Sequence, residues 1–463
     1  MADIILFQPK GAVFNNISVP TGLLFLASKA VENGYKVKII DQRINENWKE
    51  ELSSGLSSAK LVYFSVLNAD QLKNMIDVSK FVIKTNPNIQ TIFGGEWVKM
   101  NPGLGMQDHN MDFVSYGDED NLLVGIMDSI NGKKRVTEIF DILYRPPEGA
   151  KINRTNPNTN IANIDDLPKL PWELIDLKYY LSRTLVNEKA VEIQFNKGAR
   201  GFSVNRIIKE LETLSSSYGI RNFFIIDELA AKDNGRLLEL VDALSGKNYN
   251  YGLGSLDADL LHKLNDDSIK KLVNHGCRIM EFNLGSGNKR MLETLHKNIT
   301  PEFIAEKNRE LGKYQLIVDY KFKGGYPTES KAEFMDTLNL KNKLLKENNL
   351  AKASVEFYIP EPNTEMYQTA LSSGYISPRS LKDWNDNIKW YETNSYWLTK
   401  EMVKLIEKAA LISNITKKSL FFKIYNPIAK LRKDKNMYGF MIEKYPLKIM
   451  NKPEKGEVIV AKR

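Results

Sequence analysis

This sequence predicts an α/β protein built on two parallel sheets, the first open and the second curled into a partial barrel. Three observations carry that reading. Short, continuously apolar runs such as Ile4–Phe7 and Leu61–Val66 alternate with helical patterns, the mark of strands covered on both faces. The alternation lapses over residues 131–190 and resumes at Val191. After Val191 it supplies six strand–helix units, too few to close an eight-stranded barrel.

Composition sets the outer bounds. At 463 residues the chain is long enough for several domains with their own cores, and 42% hydrophobic with 26% charged residues is ordinary for a globular protein. The single cysteine, Cys277, excludes a disulfide framework and a metal cluster held by several cysteines of this chain. No apolar run approaches the roughly 20 residues that span a bilayer. Met1–Phe7 reads as a first strand and not as a signal peptide, so a cytoplasmic protein is expected.

The net charge of +8 is unevenly placed. From Ile415 to Arg463 there are 13 Lys and Arg against 4 Asp and Glu, so the basicity belongs to the C-terminal segment. There Lys417, Lys418, Lys423, Lys430, Arg432, Lys433 and Lys435 flank Phe421, Phe422 and Ile424. Such a segment suits peripheral contact with an anionic membrane surface, or simple solvation. No nucleic-acid partner is expected.

Taken in order, Ile4–Phe7 ends in the loop Gln8-Pro9-Lys10-Gly11, and a helix over Thr21–Glu32 closes at Asn33-Gly34. Strands follow at Lys36–Ile40, Leu61–Val66, Asn88–Phe93 and Phe113–Tyr116, with a helix over Ala69–Thr85. Residues 1–130 therefore form a Rossmann-like (flavodoxin-like) domain. Such sheets take ligands beyond the C-terminal ends of their strands. Pro20, Thr21, Gly22, Ser65, Gly94, Gly95, Glu96 and Gly117 stand there, small enough to leave room for a wide ligand. Glycines at these points also make ordinary turns.

Residues 131–190 carry turn chemistry and read as a linker. Residues 191–390 form the partial (β/α)6, TIM-like barrel, and residues 391–463 a helical, basic extension. The barrel strands fall at Val191–Phe195, Asn222–Ile226, Tyr249–Gly252, Ile279–Asn283, Ile317–Phe322 and Ser354–Tyr358. Its chemistry belongs at the strand ends, at Asp227-Glu228, Ser255, Gly285-Ser286-Gly287 and Gly324-Gly325. Asp227 and Glu228 are either paired carboxylates facing the barrel mouth or caps of the following helix. After the first barrel strand, Phe195–Phe202 makes a short glycine-bearing loop, and Ser203 is placed to cap a helix from Val204 to Leu214.

The ordered set of motifs resembles the cobalamin-binding radical S-adenosylmethionine enzymes, a group that includes methyltransferases. The resemblance runs through Val19–Ala27, Asn33–Asp41, Phe93-Gly94-Gly95-Glu96 and Asp112–Glu119 in the first half. In the second half it runs through Tyr218–Glu228, Gly276–Leu292 and Gly324-Gly325-Tyr326-Pro327-Thr328-Glu329. It implies cobalamin over the C-terminal edge of the first sheet. No histidine is placed to ligate cobalt, so the cofactor is expected base-off. It also raises S-adenosylmethionine as a ligand of the barrel, with Asp227, Ser255, Gly324 and Gly325 as candidate contacts.

The chain departs from that family at one loop above all. The family carries Cys-x-x-x-Cys-x-x-Cys after the first barrel strand, holding a four-iron four-sulfur cluster; here Gly198-Ala199 falls where that motif would begin. No such cluster is therefore expected on this chain. Lys321 and Lys323 put charges into a fifth strand that the family keeps uncharged. Two readings stay open. One is a cobalamin-binding partner or regulatory protein without radical chemistry, beside an intact radical enzyme; the other is an enzyme of polar methyl transfer.

Overall fold

The structure, a computed structural model, describes residues 1–11, 17–146, 151–159, 163–197 and 200–413. The basic segment Lys417–Lys435 and the Gly198-Ala199 pair lie outside the described residues. The chain divides into two compact units. The first comprises Met1–Thr184, Glu188–Ile226 and Ser377–Trp390; the second comprises Leu185–Asn187, Asp227–Ile376 and the described residues from Tyr391.

The first sheet has seven strands: β1 (Ile4–Gln8), β2 (Val37–Asp41), β3 (Leu61–Ser65), β4 (Gln90–Gly94), β5 (Phe113–Ser115), β6 (Ile142–Tyr144) and β7 (Asn153–Arg154). Their order is β2-β1-β3-β4-β5-β6-β7. The first five are parallel, and β6 and β7 add antiparallel. Every residue of β1 and β3 is buried, as continuous apolar strands between two helical layers must be. The 2-1-3-4-5 order is flavodoxin-like and reverses beside β1, opening a crevice between β1 and β3 at their C-terminal ends.

The following strands are β8 (Arg183–Leu185), β9 (Glu188–Gln194), β10 (Asn196–Lys197), β11 (Arg200–Gly201), β12 (Asn222–Ile226), β13 (Asn250–Asp257), β14 (Cys277–Gly285), β15 (Ile317–Gly324) and β16 (Ala351–Phe357). The second sheet has the order β16-β15-β14-β13-β12-β9-β8, with β10 and β11 forming a separate antiparallel hairpin. Six strands of this curled sheet are those read from the sequence, and β8 adds one. Among the described residues no helix is long and apolar enough to cross a membrane.

Three differences have physical causes. The third barrel strand runs on to Asp257, because Ser255 adopts φ 58° and the register against β14 shifts there. Ser255 is thus a bulge-like residue within the strand and not its end. The helix Trp48–Leu56 buries only Leu52 and Leu56, too thin an apolar stripe to stand out in sequence. Ile142–Tyr144 and Asn153–Arg154, inside the stretch read as linker, extend the first sheet as β6 and β7.

Candidate functional site

The first candidate region is the C-terminal edge of the first sheet. Pro20 precedes the helix Thr21–Glu32, whose buried face includes Leu23, Leu24 and Phe25. A side chain at Gly22 would meet nothing within 4 Å, so this position of the first turn is open, while Thr21, Leu23 and Leu24 around it are buried. Across the crevice Gln8 Nε2 donates to the Ser65 carbonyl (3.1 Å), and Gln71 Nε2 donates to the Pro9 carbonyl (2.9 Å). Ser65 itself is buried, while Leu67 just beyond it is 40% exposed.

The edge beyond β4 is filled by the chain's own polar network. A Cβ on Gly94 would lie 2.2 Å from the Tyr63 hydroxyl. That hydroxyl donates to Glu119 (2.7 Å), and Lys99 Nζ lies 3.0 Å from Glu119 and 2.9 Å from Glu96. Burial works to lower the Lys99 pKa, but the Glu119 and Glu96 carboxylates outweigh it and hold the ammonium well above its ordinary value. The room expected at Gly94 is therefore taken by Tyr63, a correction with a plain steric cause. Gly95 has φ 98° and lies against the Val66 backbone, and Gly117 lies against the Asp141 carboxylate. Close approach at these three glycines serves internal packing.

The second region is the loop after β9. Its described residues form the β10–β11 hairpin, closed where Phe202 N donates to the Phe195 carbonyl (3.1 Å). Phe195 and Phe202 are fully buried, and the Phe202 ring packs 5.1 Å from Phe25. Arg200 reaches Asp118 (2.6 Å) and Asp120 (2.8 Å) with separate nitrogens. Ser203 caps the next helix by accepting from Arg206 N, and that helix runs to Tyr218 before Gly219 turns at φ 71°. The hairpin offers no thiolate. Cys277, on β14, is buried with its thiol pushed up to about 12 by burial, so it is a packed apolar residue. The residues of this loop do not fit a three-cysteine cluster site.

The third region is the strand ends of the second unit. Asp227 is buried: its Oδ1 accepts from Leu229 N and Ala230 N, and its Oδ2 pairs with Arg236 at 2.8 Å. It closes the turn after β12, while Asp233 caps the next helix, and Glu228 lies exposed beside it. Gly324 packs against the Phe334 ring. Gly325 has φ 91°; its N–H donates to Glu329, and its carbonyl accepts from Tyr391 (2.6 Å) and Trp397 (3.5 Å). Sequence reasoning passed over Arg200, Glu119 and Glu329. Only Glu329 had a local signal, its place at the end of the Gly-Gly-Tyr-Pro-Thr-Glu turn.

An open flavodoxin-like sheet followed by a partial parallel barrel defines the class, and solved structures share it. No family model matches the chain. The fold is that of the cobalamin-dependent radical S-adenosylmethionine methyltransferases. The methyltransferase TsrM of Kitasatospora setae, solved with cobalamin and a four-iron cluster, has TM-score 0.61 at 15% identity, covering 82% of this chain and 76% of that one. The cobalamin-dependent radical enzyme OxsB in its apo form has TM-score 0.65 at 13% identity, covering 97% and 74%. By sequence, the chain is 22% identical to an uncharacterized methyltransferase of Pyrococcus horikoshii, over 88% of this chain and 90% of the other. It is 20% identical to cytidylyl-2-hydroxyethylphosphonate methyltransferase of Streptomyces wedmorensis, over 81% and 83%.

Proposed function

We propose that this chain is a cobalamin-dependent methyltransferase that works by polar methyl transfer. The observation that carries the reading is the closed hairpin, with Phe195 and Phe202 in the core where the family places its cluster loop. It stands within a chain that aligns along most of its length with two proteins named as methyltransferases. Cobalamin, if bound, would supply an electrophilic methyl group for a nucleophilic acceptor, with no radical intermediate. No electron from an iron–sulfur cluster is consumed in that exchange. Of the chain's own residues, Gly22, exposed in the first turn beside the buried Pro20 and Thr21, offers an open helix start to the cofactor's edge. Ser65 and the exposed Leu67 line the crevice wall beside them. S-Adenosylmethionine is the methyl source this reading requires, with Ser255, Gly324 and Gly325 along the barrel strands as its neighbours.

The test uses the full chain, chemically reduced cobalamin and methyl-labelled S-adenosylmethionine, without iron. Label recovered in the cobalamin, with S-adenosylhomocysteine and no 5′-deoxyadenosine, is the expected result. Formation of 5′-deoxyadenosine would overturn the polar reading. Cobalamin binding without any transfer would favour a second reading, a cobalamin-binding partner of an intact radical enzyme. One observation supports that second reading: Asp227 is committed to the turn after β12 and to Arg236, and offers no free carboxylate for catalysis.

A further inference from the structure

Strands β14, β15 and β16 run side by side in parallel register within the second unit. Along β15 exposure alternates strictly: Val318, Tyr320 and Phe322 are fully buried, whereas Asp319, Lys321 and Lys323 are half-buried. The buried set faces the helices. Tyr320 donates to Asn308 of the helix Pro301–Leu311 (3.2 Å), and its ring stacks on Phe282. The charged set therefore lies on the opposite, concave face. Register partners in a parallel sheet point the same way, so Glu281 and Asn283 of β14 and Ser354 and Glu356 of β16 join it.

Strands covered by protein on both faces read apolar throughout. A charge at every second residue of β15 means that this face meets water or a polar ligand. The charges are also sorted by depth. Lys321 Nζ lies 3.0 Å from Asp319 and 3.4 Å from Glu281, so its charge is balanced within the chain. Lys323 is one pleat nearer the strand end and directly precedes Gly324-Gly325. Among the described residues it has no ion pair or side-chain hydrogen bond, although Glu356 stands opposite it in register. The C-terminal ends of barrel strands are where such folds hold their ligands.

We propose that Lys323 anchors the anionic group of a small-molecule substrate, a phosphate, phosphonate or carboxylate, on this concave face. A half-buried ammonium against a protein wall attracts an anion more strongly than one in open solvent, because part of the screening water is absent. The Glu281–Lys321–Asp319 cluster behind it is already neutralised in part by its own lysine, and Asn283 adds a neutral donor alongside. The inference rests on the methyltransferase reading and gives it a substrate class.

Binding of cytidine monophosphate, methylphosphonate and succinate to the full chain, with neutral cytidine as control, is measured by ligand-observed NMR in the absence of cobalamin. At least one anion is expected to bind, and the three separate phosphate, phosphonate and carboxylate preference. Lys323→Gln should weaken that binding about tenfold or more, the loss of one hydrogen bond to a charged group. Lys323→Arg should largely retain it, and Lys343→Gln, on an exposed helix face, should leave it unchanged. Equal affinity of wild type and Lys323→Gln, or cytidine binding as tightly as its monophosphate, overturns the proposal. Cobalamin methylation with no anion binding would sink this inference alone. Anion binding lost in Lys323→Gln, without cobalamin methylation, would sink the methyltransferase reading alone.

Discussion

Glu329 is buried at the end of the turn after β15, where its Oε2 accepts from Gly325 N (2.7 Å) and Tyr326 N (3.3 Å). Its Oε1 has no partner, and burial raises the carboxyl from 4.5 to about 7 against the pull of those two amides. A folded pKa above the unfolded one means that the native state binds the proton more tightly. The resulting stability is complete below the unfolded value of 4.5 and is lost as pH rises through about 7. Wild type should therefore lose on the order of 2–3 kcal/mol between about pH 5 and about pH 8 from this group. Glu329→Gln should flatten that slope in denaturant titrations at the two pH values; an unchanged slope would assign the pH dependence elsewhere. Two glycines make a second contrast. Gly94→Ala drives a Cβ into Tyr63 and should cost about 1–3 kcal/mol. Gly22→Ala, with open space around it in a helix, should be neutral or stabilising by up to about 1 kcal/mol. Thermal midpoints of the two variants decide it, and equal losses would contradict the packing described at both sites.

At the scale of elements, the β10–β11 hairpin follows the strand β9 and precedes the helix Val204–Tyr218. Two forces hold it. Phe195 and Phe202 bury fully, and Arg200 spans two carboxylates with side-chain exposures of only 7% and 3%. Arg200→Ala should destabilise the first unit by about 2–3 kcal/mol, since charge-assisted hydrogen bonds to buried carboxylates are lost. Removing the charges together, in Arg200→Ala with Asp118→Asn and Asp120→Asn, should recover part of that loss. A triple variant no more stable than Arg200→Ala would show that desolvated charge is not the cause. The neighbouring helix is anchored more simply. Ser203→Ala removes the cap on Arg206 N and should cost about 1 kcal/mol.

At the scale of the whole molecule, the chain shares its two-sheet fold with the solved cobalamin-dependent radical enzymes and holds one cysteine. Anaerobic reconstitution with iron and sulfide should leave less than one cluster per chain, because one buried thiol cannot supply three thiolate ligands. About four irons per chain, with the matching absorbance band, would refute this. In a titration with hydroxocobalamin, Gly22→Trp is the variant that blocks the exposed first-turn position while sparing the core. It should weaken hydroxocobalamin binding, and equal affinity would place the cofactor away from that helix.

The sequence by itself determined the two sheets, the order of their strands along the chain and the helix caps, because these follow from local periodicity and from single residues. Ile4–Phe7 is apolar at every position and reads as a covered strand; Ser203 starts a helix by hydrogen-bond chemistry confined to a few neighbours, whereas its end at Gly219, beyond the expected Leu214, came from the structure. It also sets the expectation that no three-cysteine cluster forms, since the chain holds one cysteine. Tertiary structure alone decided what each candidate glycine is for, since Gly94 and Tyr63 are 31 residues apart in sequence and meet only across the sheet. The same holds for Arg200 with Asp118, for the shift in register that puts Ser255 inside β13, and for the concave face that separates Lys323 from the paired Lys321. Those facts depend on which strands lie side by side, and no local pattern in the chain encodes that.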